Sequence, residues 1–321
     1  MPESYAPILL RRKAKQLRSQ TGNPNIVARF ELEPQTWRYL ATTVLSRPFH
    51  MLIHESIVLF TCIYISLAYG ILYLFFQAYP IIFQGTNSVY HFTPLQSGLA
   101  FIPIGIGACL CAFIFFTWDH YLYKHIALRS PWTSIEEYRR LPLACLGGPF
   151  LVLSLFWLGF TSSTTPALNP FIPILSGTTF GLGFLLIMMA MLNYLTDAYE
   201  TYAASAQAVA SCCRSVFGAL LPLAAAKMFS TLGIRWACAT LGFIALVVTC
   251  IPFGFVRWGE RIRGGSKFCR ELKKIKEREE REEESRRQRE MEMEMDKQRK
   301  RDGQVVGGGD YDNNDDYDFD E

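Results

Sequence analysis

The sequence lacks the residue patterns of a metal site, a disulfide scaffold or a catalytic centre. Its nine cysteines form no CxxC pair, and most of them lie in apolar runs, where a free cysteine packs as a small apolar residue. His50 and His54 are one helical turn apart but have no third ligand nearby, so we predict no metal site. There is no phosphate-binding loop, no pair of catalytic carboxylates and no Ser/His/Asp set that the topology could assemble. We therefore expect no enzyme, no cofactor and no nucleic-acid partner.

Charge is nearly absent from the middle of the chain. Between Met51 and Val256 six long apolar runs follow one another, whereas a soluble domain would interleave charged residues far more often. The runs are Ser56–Phe83, Pro94–Phe116, Leu143–Phe160, Phe171–Leu195, about Ala203–Phe229 and about Trp236–Val256. Each can cross a hydrocarbon core of ~30 Å as a helix. The sequence predicts an all-α membrane protein with six transmembrane helices, numbered one to six.

Basic residues alternate with neutral connections along the chain. The first 47 residues have no signal-peptide apolar stretch and carry eight Lys or Arg. The connection Thr117–Pro142 carries four more, and a further basic cluster follows helix six, whereas the connections after helices one and three carry none. Because basic residues accumulate on the cytosolic side, we predict that both termini are cytosolic. We expect the plasma membrane in preference to the vacuole.

The C-terminal region has almost no apolar residues. Residues 266–302 are dense in Lys, Arg and Glu, with opposite charges four apart, which predicts a solvated helix. Binding of this helix to anionic lipid is the alternative. The predicted organisation is a basic cytosolic loop at 1–50, a six-helix lobe at 51–258, a charged cytosolic helix at 259–302 and a disordered acidic tail at 303–321.

One face of helix one carries aromatic residues and an amide. Tyr69, Tyr73, Phe76 and Gln77 follow one another at helical spacing, with Pro80 further along. Such a face suits a cavity for organic cations, through cation–π contacts and a hydrogen bond. Packing against other helices or against lipid is the alternative.

Two charged residues flank or enter the apolar runs. Glu55 precedes helix one and either couples transport to protons or pairs with Lys or Arg at the membrane interface. Arg214 lies about 16 Å along helix five, where an unpaired charge costs at least ~2.5 kcal/mol. It therefore needs a wet cavity or a partner, for which Asp197 and Asn193 are candidates. If the membrane segment begins near Ser211, Arg214 lies at the interface instead.

Helix four ends in the polar sequence NYLTDAY. Asn193 and Asp197 are one turn apart on one face, and Tyr194 lies beside them. We consider Asn193 and Tyr194 as cavity residues and Asp197 as a gating residue, with helix capping as the alternative.

Small residues at several positions predict close helix packing. Gly177 and Gly181 form a GxxxG pair, which lets two helix backbones approach. Gly70, Gly218 and Pro222 are further packing candidates.

Several segments together resemble a known family. They are PESYAPILLRRKAKQLR, RPFHMLIHESIVLFTCIYISLAYGILYLFFQAYPIIF, YRRLPLACLGGPFLVLSLFWLGFTS, NYLTDAYETYAASAQAVASCCRSVFGALLPLAAAKMF and LGIRWACATLGFIALVVTCIPFGFVRWGERIRGGSKF. In this order they resemble the C-terminal half of a twelve-helix major facilitator superfamily transporter, from Pro2 to about Phe268. The closer similarity is to the fungal drug:proton antiporters, which include multidrug and polyamine exporters.

The resemblance implies transport of small organic molecules, such as drugs or polyamine-like cations, by proton-coupled antiport. In this superfamily two six-helix lobes rock about a midplane site. Helix one corresponds to the family's seventh helix, which borders the substrate path. The family's first six helices have no counterpart here, so the implied partners are the lipid bilayer, a small-molecule substrate, protons and a missing N-terminal lobe. We expect no transport by this chain alone. A non-transporting half-transporter that acts through its cytosolic tail is the alternative.

Overall fold

The structure, a computed structural model, describes residues 6–22, 27, 46–84, 90–128, 130–134, 136–162 and 169–306. These residues form helices and contain no strand. The α-helices are α1 (Ala6–Thr21), α2 (Arg47–His54), α3 (Ser56–Phe83), α4 (Pro94–Leu99), α5 (Ile102–Ala127), α6 (Glu136–Ser162), α7 (Phe171–Tyr199), α8 (Ala203–Val248), α9 (Cys250–Gly265) and α10 (Lys267–Val306). Short 3-10 turns occur at Pro131–Ser134 and Glu200–Tyr202.

The chain divides into two compact units, Met1–Ser266 and Lys267–Glu321. The second unit contains the charged helix α10, which continues to Val306, so residues 303–306 of the predicted disordered tail are helical. The rest of that tail, 307–321, lies outside the described residues. Residues 28–45 of the predicted N-terminal loop also lie outside the described residues, whereas Ala6–Thr21 of the same loop form helix α1.

Six stretches of the first unit are long and apolar enough to cross a membrane, which confirms the predicted number. We call them spans 1 to 6: Ser56–Phe83, Pro94–Ala127, Glu137–Ser162, Phe171–Tyr199, Ala203–Ala225 and Lys227–Gly259. Span 1 has the predicted bounds. Spans 2 and 3 are longer, because helical turns replace most of the predicted Thr117–Pro142 connection. The polar ends of spans 2 and 3 were not predicted, because the predicted bounds were placed where the apolar residues stop.

Helix α8 is broken at Gly233, near the start of span 6. Gly233 has φ 70° and ψ 166°, a conformation open almost only to glycine. Gly159 of span 3 faces Cys238, and Gly148 faces Thr249, so residue numbers rise on one helix as they fall on the other. Span 6 is therefore antiparallel to span 3, and the chain reverses at Gly233.

Contacts between the remaining spans define an up-and-down path. The residues that meet are Glu55 with Tyr199, Phe75 with Phe180, Cys62 with Cys213, Gly70 with Leu221 and Arg140 with Asp197. Span 1 thus runs antiparallel to span 4 and parallel to span 5, and span 3 runs antiparallel to span 4. The lobe begins and ends on the same side. We call this side the polar end, since it holds Glu55, Glu137, Arg140, Asp197 and Arg263.

The spans differ in how deeply they lie within the lobe. Only 17% of the apolar centre of span 2, and 17% of that of span 5, is buried, against 67% for span 1. Glycines bring span 2 against span 4: Gly107 lies on the backbone of Thr178, and Gly177 and Gly181 lie on Ile104. Span 1 is therefore central, and spans 2 and 5 present most of their apolar surface outward.

Candidate functional site

Three aromatic residues form a strip at the middle of span 1. Tyr69 lies at the midpoint of the 28-residue helix α3. The rings of Tyr69 and Tyr73 meet edge to face with centroids 5.2 Å apart, and their hydroxyls are 3.3 Å apart. Tyr73 meets Phe76 at 6.0 Å. We call Tyr69, Tyr73 and Phe76 the aromatic strip. Tyr69 is half-buried, whereas Tyr73, Phe76 and the adjacent Gln77 are exposed on the lobe surface.

Arg214 of span 5 lies against this aromatic strip. Its guanidinium carbon is 5.2 Å from the centroid of the Tyr69 ring, and its Nη2 donates to Ser211 Oγ at 3.3 Å. Gly218 allows this approach, because a Cβ there would lie 3.1 Å from atoms of the Tyr69 and Tyr73 rings. The guanidinium of Arg214 therefore reaches Tyr69, at the midpoint of span 1.

The predicted partners of Arg214 lie elsewhere. Asp197 is at the polar end, where it accepts from Arg140 Nε at 3.2 Å. Asp197 is therefore not the partner of Arg214. Asn193 is half-buried on span 4, and no hydrogen bond joins it to Arg214 within the described part of the chain. The described contacts of Arg214, with Ser211 and Tyr69, include no carboxylate.

Tyr194 does not reach the aromatic strip. It is fully buried, with its ring 5.8 Å from that of Phe255. Its place in the lobe interior makes it a packing residue and not part of an exposed cavity wall. Helix periodicity could not separate the two roles, because span 4 is apolar on nearly every face.

An ion-pair network joins three spans at the polar end. Arg140 Nη1 is 2.8 Å from Asp119 Oδ1, and its Nε is 3.2 Å from Asp197 Oδ2. The three residues come from spans 2, 3 and 4. The sequence placed Arg140 in a connection and did not single out Asp119. An acidic residue following the apolar run of helix two was the available signal.

A second ion pair joins span 3 to α9, the helix in which span 6 ends. Arg263 Nη2 donates to Glu137 Oε2 at 2.7 Å, and Glu137 is only 2% exposed. Gly259 leaves the space that this carboxylate occupies. Sequence reasoning missed both charged residues, since each looked like an ordinary flanking charge.

Glu55 lies inside the polar end, between α2 and α3. It is 2% exposed, and Tyr199 donates its hydroxyl to Glu55 Oε2 at 3.0 Å. Both roles considered for Glu55, proton coupling and pairing with Lys or Arg at the interface, fit burial of this kind, since the arginine-paired Glu137 is equally buried.

The histidines before span 1 remain exposed. The rings of His50 and His54 stack with centroids 4.1 Å apart, and His54 Nδ1 lies 3.1 Å from the His50 carbonyl. Among the residues that the structure describes, no three His, Cys, Asp or Glu side chains are grouped so that they could hold a metal ion.

Curated relatives match most of the chain. It is 35% identical over 283 residues to the major facilitator superfamily multidrug transporter mdrA of Aspergillus fumigatus, with 86% of this chain and 45% of the relative covered. It is 36% identical to the efflux pump FUB11 of Gibberella moniliformis, covering 87% and 46%. It is also 36% identical to the efflux pump atB of Aspergillus terreus, covering 84% and 56%. The chain spans about half the length of these relatives. No family model and no solved structure matches it.

Proposed function

Because this chain belongs to the major facilitator superfamily of membrane transporters, we propose that it forms one lobe of an exporter of small organic molecules driven by proton antiport. The observation that carries the proposal is Arg214 at mid-span depth beside an aromatic strip that stays exposed on the lobe. Charged and polar groups at that depth mark substrate paths. A second six-helix lobe would cover the strip and complete the cavity. The printed names of the relatives, which include a multidrug transporter and efflux pumps, support export.

The proposed orientation places the polar end in the cytosol. Lys124, Arg139 and Arg140, near the facing ends of spans 2 and 3, lie there together with Arg261 and Arg263 after span 6, as expected for a cytosolic face. In this orientation the Arg140 pairs with Asp119 and Asp197 hold three helix ends together as the lobe rocks. We propose the plasma membrane as the location.

We assign the proton site of this lobe to Glu55. Asp119, Glu137 and Asp197, the carboxylates within the six spans, each form an ion pair with an arginine. Glu55 lies buried at the start of span 1, where it accepts from the Tyr199 hydroxyl. A buried carboxylate at the start of a membrane span is the kind of group that takes up and releases protons in transporters.

Glu55→Gln should abolish the dependence of export on a pH gradient, because glutamine cannot carry the proton. In proteoliposomes that also contain the N-terminal lobe of mdrA, we expect at least a ~10-fold fall in gradient-driven export, of the size seen when a hydrogen bond to a charged group is lost. Glu200→Gln, at an exposed carboxylate just beyond Tyr199, is the matched control and should export normally. Export by Glu55→Gln with unchanged pH dependence would remove Glu55 from the coupling.

Transport itself is tested by reconstituting the chain with and without a second lobe. Proteoliposomes would contain this chain alone, or this chain together with the N-terminal six-helix lobe of mdrA, and uptake of a cationic dye and of 2-naphthoate would be followed under a pH gradient. We expect transport only when both lobes are present, since one lobe supplies half of the cavity. Transport by the chain alone would contradict the one-lobe proposal. No transport of any compound would contradict the exporter and favour a membrane protein that acts through α10.

A further inference from the structure

The Arg214 guanidinium occupies a position that an organic cation would need. It covers one face of the Tyr69 ring, at 5.2 Å, and the neighbouring Tyr73 packs on the edge of the same ring. Two positive charges a few ångströms apart in a poorly hydrated site repel each other strongly. The aromatic strip therefore disfavours the drug and polyamine-like cations that its composition alone suggests.

The same guanidinium has hydrogen-bond donors to offer. A guanidinium carries five N–H donors in a planar fork that matches the two oxygens of a carboxylate. In the described structure Ser211 Oγ accepts from one of its nitrogens. The carboxylates within the six spans, Asp119, Glu137 and Asp197, all lie at the polar end and pair with other arginines. The anion that would balance Arg214 at mid-span depth must then come from beyond these spans.

The surroundings of Arg214 combine this charge with an apolar surface. Tyr73 and Phe76 continue the aromatic strip beyond Tyr69, with ring centroids 6.0 Å apart, and their exposed rings can pack against an apolar ring. The Tyr69 and Tyr73 hydroxyls, 3.3 Å apart, add an O–H donor. Gln77 is exposed one residue beyond Phe76 and adds an amide. The cluster offers donors at one end and aromatic faces at the other.

We propose that Arg214, Tyr69 and Tyr73 bind the carboxylate of an apolar or aromatic organic acid, with Phe76 packing on its apolar body. This assignment rests on the proposed export function and specifies the substrate class: organic anions and not organic cations. Arg214 takes the carboxylate in the forked geometry that guanidinium groups favour, and Tyr73 contributes a hydrogen bond. A carboxylate side chain of a second lobe has the same chemistry, and the experiment separates the two sources.

The test compares three ligands with the same ring and different charge. 2-Naphthoate, 2-naphthamide and 2-naphthylmethylammonium would be bound to the full chain in lipid nanodiscs and measured by equilibrium dialysis. We expect naphthoate to bind about tenfold or more tightly than the amide, because hydrogen bonds to a charged group are the stronger kind, and the ammonium to bind most weakly. Naphthoate binding no tighter than that of the amide or the ammonium would overturn the proposal.

Variants locate the preference at Arg214. Arg214→Gln should lose about tenfold in naphthoate affinity and leave the amide unchanged. Arg235→Gln is the matched control, since Arg235 also stacks on an aromatic ring, that of Phe160 at 4.9 Å, but near the Gly233 reversal opposite the polar end. Equal losses in the two variants would overturn the assignment. If Arg214→Gln does not fold, Arg214→Lys should still favour naphthoate, though less than the wild-type chain, because lysine keeps the charge and loses the fork.

Repeating the measurement with the N-terminal lobe of mdrA present identifies the source of the anion. Retention of the naphthoate preference supports a substrate carboxylate, whereas its loss would show that a protein carboxylate already occupies Arg214 and would overturn the proposal. The anion site and the export function can fail separately. Transport of the amide or the cationic dye without a preference for naphthoate rejects only the anion site.

Discussion

Gly107→Ala is expected to destabilise the lobe by about 1–3 kcal/mol or to prevent its folding, which is the usual cost of overfilling a packed interface. A Cβ at this position would overlap the Thr178 carbonyl and lie 2.8 Å from the Leu182 nitrogen. Both obstacles are backbone atoms of span 4, so relief requires spans 2 and 4 to move apart. The measurement is the melting temperature of the purified chain in detergent, together with its yield.

Gly105→Ala provides the control in the same helix. A Cβ at Gly105 meets no atom within 4 Å, although the residue lies only two positions away. It should leave the melting temperature unchanged or raise it slightly, because alanine favours a helix more than glycine does. If both alanine variants melt alike, the close approach of spans 2 and 4 at Gly107 is wrong.

Arg140→Gln is the second large effect we expect. It removes the charge that lies between Asp119 and Asp197, at 2.8 and 3.2 Å, and leaves two carboxylates facing each other. Because the side chain of Arg140 is 22% exposed, solvent screens part of the loss, and we expect a destabilisation of about 1–3 kcal/mol. A fall in melting temperature of the purified chain is the readout.

Two further variants isolate the cause of that fall. Arg139→Gln removes a neighbouring arginine whose Nε donates to the Thr133 carbonyl and to neither aspartate, so its effect should be smaller. Adding Asp119→Asn and Asp197→Asn to Arg140→Gln removes the repulsion and should recover part of the stability. If the ion pairs do not stabilise the lobe, Arg139→Gln and Arg140→Gln will have equal melting temperatures. The two added asparagine substitutions will then recover no stability.

The number of spans could be predicted because the membrane imposes a length on each apolar run. The predicted and observed bounds of span 1 agree at Ser56–Phe83, where polar residues flank the run. The ends of spans 2 and 3 could not be predicted in the same way. Asp119 lies about two turns before the end of span 2, and Arg140 lies in the first turn of span 3. Both charges favour a connection in the sequence and become helical where ion pairs across the spans satisfy them.

The candidate site was predicted only in part. Tyr69, Tyr73 and Phe76 follow a helical period, so their common face was visible in the sequence. The contact of Tyr69 with Arg214 was not visible, because it depends on the packing of spans 1 and 5, which is possible where Gly70 and Gly218 lack side chains. The position of Tyr194 could not be predicted for the same reason. Its aromatic ring suggested a cavity residue, and helix packing buries it against Phe255.

The sequence by itself determined that this chain is a multi-pass membrane protein of the major facilitator superfamily. The length of the apolar runs, the spacing of the charges and the order of the motifs can be read from the residue order alone, because they do not depend on tertiary contacts. Only the tertiary structure decided which faces are buried and which charges pair. In spans that are apolar all round, periodicity does not distinguish a helix face against protein from one against lipid or a cavity. Arg140 and Arg214 show the difference: both are arginines in or beside apolar helices, and only their neighbours in space separate the ion pairs of Arg140 from the binding site proposed at Arg214.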